Sequence, residues 1–182
     1  MTLKAKQRLR RRQRAVAYLA VAAAWAASVW GSTLLAPPPW LHDVALFVHL
    51  ASLVIGLGAV LMVEWYAFLW ATDWRSPRDL RQVDITLRMP IWAGLIGLLA
   101  SGALLQPDLE APLTIVKLGA VLVVALNGVA ITQWTGYLAR FPRRMRFRSL
   151  PWKARFRFVS SAIVSQIAWW TAVVIGMLNS TT

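Results

Sequence analysis

Residues 44–71 read VALFVHLASLVIGLGAVLMVEWYAFLWA, an apolar run with a single histidine, His49, and a single carboxylate, Glu64. A bilayer core of about 30 Å is crossed by ~20 apolar residues in a helix, so this run spans a membrane with length to spare. Similar runs lie at 15–36, 90–105, 113–138 and 158–178. The pattern predicts an all-α integral membrane bundle of five transmembrane helices: a four-helix domain over 44–178 preceded by one N-terminal helix. Composition agrees, because 58% hydrophobic residues and a mean hydropathy of +0.55 in 182 residues would leave a soluble domain with large apolar patches on its surface.

Charge then orients the spans. Every Lys and Arg except Lys117 falls in three segments: the arm 1–14 (MTLKAKQRLRRRQR), the loop 72–89 and the loop 139–157. With five crossings these three lie on one side, and the positive-inside rule makes that side cytoplasmic. The opposite segments carry Asp43, Asp108 and Glu110. The expected topology is therefore N-terminus inside and C-terminus outside. Trp70, Trp74, Trp92, Trp134 and Trp152 gather at the inner interface and Trp40 marks the outer one, as interfacial tryptophans do. The arm and the run 15–36 together resemble a signal peptide, but that run is long and ends in APPPW without a small-x-small site, so it reads as a retained helix. Insertion accounts for the net charge of +13, and nucleic acid is not an expected partner.

Two inner loops have patterns of their own. SPRDLRQVDITLRM, 76–89, opens with Ser76 as a cap and Asp79 three residues later, as in a capping box. Leu80, Val83 and Leu87 share a face, which predicts a short surface helix ending where Pro90 begins the third span. FPRRMRFRSLPWKARFRF, 141–158, interleaves arginine with Phe, Met and Trp, a composition suited to anionic lipid headgroups. Both loops are expected to bind anionic lipid.

The absence of cysteine excludes disulfides and thiolate ligands. Ionisable groups within spans are costly and mark functional positions, and here they are His49, Glu64 and Lys117, with Asn127, Gln133, Ser165 and Gln166 as uncharged company. His49 and Lys117 each lie four or five residues past the start of a span entering from the outside, roughly 6–8 Å deep at the helical rise. They are level, on parallel helices. One level deeper Asn127 matches Gly58, and deeper still Glu64 matches Gln133. Small residues at Ser52 and Gly56, and at Ala93, Gly97 and Ser101, form stripes that permit close helix packing or leave a flat slot beside Gly56, Gly58, Gly94 and Gly97. Span one has no ionisable residue and is expected at the periphery. Each polar group also has a plain reading: His49 as a packing histidine, Lys117 snorkelling outward, Glu64 paired with a loop arginine, Asn127 bonding between helices.

HLASLVIGLGAVL (49–61), GLIGLLASGALL (94–105) and TIVKLGAVLVVALNG (114–128) resemble small four-helix bacterial membrane domains, namely the CopD-like copper-resistance family and the related HemJ family of membrane protoporphyrinogen oxidases. The resemblance covers residues 44–178. It implies a multi-pass protein of the bacterial inner membrane, with haem b associated with His49 and Lys117, His49 as the iron ligand, and Asn127, Gly56 and Gly58 as secondary cofactor positions. Where HemJ proteins carry an aromatic and arginine motif after the histidine helix, this chain has VEWYAFLWATDWR. His42, two turns above His49 on the same face, is no second axial ligand. Three functions follow as expectations: a redox domain binding a tetrapyrrole or quinone; a non-enzymatic subunit or assembly factor of a larger membrane complex, or a homo-oligomer; and third, a small copper, ion or solute transporter.

Overall fold

The computed structural model describes residues 3–138, 142 and 145–179, with only the backbone described at 3, 4, 6, 7, 10 and 133–138. The described residues form five long helices: α1 (Leu3–Leu34), α2 (Pro39–Ala71), α3 (Pro77–Leu104), α4 (Pro112–Leu138) and α5 (Trp152–Asn179). All five contain a stretch long and apolar enough to cross a membrane. The chain is a multi-pass helical bundle.

Local chemistry sets most boundaries. Pro39 and Pro112 open α2 and α4 at the first-turn position where proline's missing N–H costs nothing. The arm 3–14 continues α1 because it is built of Arg, Lys, Gln, Ala and Leu, all good helix formers. α2 stops at Thr72, and Asp73 takes the left-handed conformation with φ 64°, which Asp tolerates better than most side chains. The Asp73 N–H reaches back to the Trp70 carbonyl. Ser76 then starts α3 with the expected box: its hydroxyl accepts from the Asp79 N–H, and the Asp79 carboxylate accepts from the Ser76 N–H.

The separate surface helix over 76–89 is not found. α3 runs unbroken from Pro77 through Pro90 to Leu104. Proline inside a helix removes one hydrogen bond and crowds the preceding turn, but neighbouring helices sustain such a helix in a membrane. Here the buried positions Leu80 and Asp84 before Pro90 and Gly94, Leu95, Leu98 and Ser101 after it keep helical phase, so one continuous stripe packs on α2.

α2 and α3 form one tight hairpin and α4 and α5 a second. α1 lies against α3 and α4 with few of its side chains buried, at the edge of the bundle. Its Trp25 indole donates to the Leu118 carbonyl at 3.0 Å, and its Ser28 hydroxyl donates to the Leu99 carbonyl at 2.6 Å. At the arginine-bearing end, Trp70, Leu80 and Leu150 form a buried cluster, with Met145, Phe147 and Phe158 packed on it. Part of the aromatic pattern in 141–158 is thus spent inside the protein rather than on lipid. Arg146, Arg148 and Trp152 remain exposed.

Candidate functional site

His49 projects from α2 onto α3. Its Nδ1 lies 2.9 Å from the Ser101 Oγ, beside the Leu98 carbonyl. The Ser101 hydroxyl is also within reach of the Gly97 carbonyl, so α3 offers His49 both a hydroxyl and carbonyl oxygens. A ring N–H donated to such an oxygen is the outer-shell arrangement common to metal-ligating imidazoles. Lys117 lies on α4. Both are half-buried.

The secondary positions behave otherwise. A β-carbon on Gly94 would lie 2.6 Å from the Gly56 Cα and 2.8 Å from the Ser52 carbonyl oxygen, and one on Gly97 would collide with the Ser52 side chain. These glycines are filled by backbone contact between α2 and α3, and no flat slot exists there. Close approach was the other meaning of a small-residue stripe, and it is the one realised. Gly58 has nothing within 4 Å of the position its β-carbon would occupy, so it faces away from the seam. Asn127 pairs with α5: its amide donates to the Ser161 carbonyl at 2.8 Å, and its Oδ1 accepts from the Ser161 hydroxyl at 2.6 Å. Interhelical bonds of this kind average about 0.6 kcal/mol, so Asn127→Ala should cost about 1 kcal/mol for the two, read as a lower thermal unfolding midpoint in detergent.

Glu64 shares a cavity with Arg157 and also turns to α5. Its Oε2 accepts from the Gln166 amide, whose own oxygen accepts from the Trp170 indole at 2.9 Å. The side chain of Gln133, the expected level partner, lies outside the described residues, as do those of Trp134, Arg140, Arg143 and Arg144. Glu64 is fifteen residues beyond His49, about 22 Å further along α2 at the helical rise. It borders a cavity of about 60 Å³ between α2, α3, α4 and α5, where Asp84, Arg88, Asn127 and Trp169 also line the wall. Asp84 is 4% exposed and paired with Arg88 at 2.7 Å.

The sequence reading assigned Asp84 and Arg88 to a surface loop and treated Ser101 as packing alone. The i, i+4 spacing of Asp84 and Arg88, in phase with Leu80 and Leu95, was the signal that would have placed the pair inside.

No protein-family model, curated protein or solved structure matches this chain. The class rests on the molecule itself: five helices able to cross a membrane, arranged as two hairpins joined by α1.

Proposed function

We propose that this is a protein of the bacterial inner membrane, with its arm and arginine-rich loops cytoplasmic and its C-terminus outside, that binds a redox cofactor at His49 and Lys117. The supporting observation is the His49 ring itself, held at Nδ1 by the Ser101 hydroxyl, with Lys117 on the neighbouring hairpin.

The donor set fits haem b or another tetrapyrrole, or a quinone. His49 supplies an imidazole oriented by Ser101, and Lys117 supplies either an amine ligand or an ammonium group facing a propionate or quinone oxygen. Because α2 and α3 touch backbone to backbone at Gly56 and Gly94, the cofactor takes no space from that seam. When bound, such a group supplies the electron transfer. His49 and Lys117 hold and tune it, and Ser101 fixes the imidazole. Exposed Arg146, Arg148 and Trp152 fit contact with anionic lipid at the cytoplasmic face.

The test is an absorption spectrum of the detergent-purified protein, oxidised and dithionite-reduced, beside His49→Ala and Lys117→Ala. The expected result is a Soret band weakened by both substitutions. A colourless protein that folds equally well in all three forms removes the haem reading. It would favour a non-enzymatic membrane subunit, for which Asn127, fully engaged with Ser161, is the supporting feature.

A further inference from the structure

Among the described residues, three buried polar atoms at the cavity between α2 and α5 have no hydrogen-bond partner: Glu64 Oε1, Arg88 Nε and Trp169 Nε1. One is an acceptor and two are donors, brought from three helices. Trp169 is 3% exposed, so its indole N–H has no access to bulk water. Unsatisfied buried groups of this kind are rare and call for an explanation. A cavity of about 60 Å³ holds about four waters at the volume one needs. Water both donates and accepts, so it satisfies all three atoms together.

Glu64 also lines a second cavity of about 50 Å³, bordered by Leu80, Arg157, Phe158 and Ser161. The carboxyl therefore stands in the partition between two spaces. On one side is the Asp84–Arg88 pair of α3, with Asp84 buried and Arg88 partly exposed, and on the other is Arg157 of α5, at the arginine-bearing end. From α4 the facing polar groups are the uncharged Asn127 and Thr132. Gln166 donates to Oε2, which assigns any proton on this carboxyl to Oε1, the oxygen left without a partner.

We propose that Glu64 is a proton-exchange site in a hydrated chamber, distinct from the His49–Lys117 level and independent of any cofactor there. The proton arrives from bulk water at the arginine-bearing surface, forms an O–H bond at Oε1, and returns by the same waters. The carboxyl passes between charges of −1 and 0, and no other reactant is consumed.

The experiment is infrared difference spectroscopy of the full chain in lipid nanodiscs, perfused between acid and alkaline buffer in H2O and then in D2O. Six other Asp and Glu residues contribute carboxyl bands of their own, so the expected result is one C=O band, in addition to theirs, that grows on acidification and shifts in D2O. It is absent in Glu64→Gln, displaced in Trp169→Phe, which removes a donor to the chamber, and unmoved in His49→Ala. An identical band in Glu64→Gln, or a band that ignores D2O, overturns the proposal. Should Glu64→Gln fail to fold, Trp169→Phe decides: a displaced band supports the chamber and an unmoved one rejects it.

Discussion

Gly94→Leu should yield no monodisperse protein in detergent, and Gly94→Ala should lose about 2 kcal/mol of stability, within the range for overpacked interiors. Alanine ordinarily stabilises a helix relative to glycine by about 1 kcal/mol, so the expected sign is opposite to propensity. The reason is what the new methyl group meets. The Gly56 Cα would be 2.6 Å away, the Gly56 nitrogen 2.7 Å and the Ser52 carbonyl 2.8 Å. All are backbone atoms, and none can rotate aside. The helices must separate, which also pulls Ser101 away from His49. Gly58→Ala is the matched control, because its methyl meets nothing within 4 Å. Thermal unfolding followed by size-exclusion recovery measures all three. Equal stability of Gly94→Ala and Gly58→Ala would mean that the α2–α3 seam is not this tight.

Trp70→Ala should cost about 3–5 kcal/mol, the usual range for removing a buried aromatic. Trp70 is 1% exposed, stands edge-on to Phe147 and Phe158 at 5.1 and 6.0 Å, and donates its indole proton to the Met145 carbonyl at 2.9 Å. The side chain ties the returning loop to the α2–α3 hairpin. Its removal should therefore loosen the backbone at the exposed Arg146 and Arg148 and speed trypsin cleavage there before the bundle itself unfolds. Trp70→Phe keeps most of the packing and loses the hydrogen bond, for about 1 kcal/mol. A loop cleaved no faster in Trp70→Ala than in the unaltered protein would show that Phe147 and Leu150 hold it unaided.

Five helices were legible because each apolar run is long and bounded by proline or charge. Their ends were less so. Pro90 read as a boundary, since local chemistry says that proline starts a helix, whereas the buried face from Leu80 to Ser101 carries the helix through it. Counting residues along two runs gives His49 and Lys117 a common depth only as an expectation. What His49 bonds to was not legible, because the rotation of α3 about its axis is set by Gly94 meeting Gly56, a contact between residues far apart in sequence. The same small residues announce either an open slot or a closed seam, and only their partner distinguishes the two. Charge offered Glu64 an arginine partner, and the facing surface of α5 adds Gln166, which charge could not show. Asp84 and Arg88 were hidden by the boundary drawn at Pro90.

The position of α1 bears on how the chain is assembled during synthesis. The two hairpins are built from neighbours in sequence and can close as soon as each second helix enters the membrane, since local contacts form fast. α1 precedes its partners in the chain. The acceptor for Ser28 is 71 residues downstream, on α3, and that for Trp25 is 93, on α4, so α1 docks in two steps. Until then its hydroxyl and indole are open to other helices. A nascent chain stalled before Leu99 is the form in which α1 is most exposed to a foreign partner or to quality control.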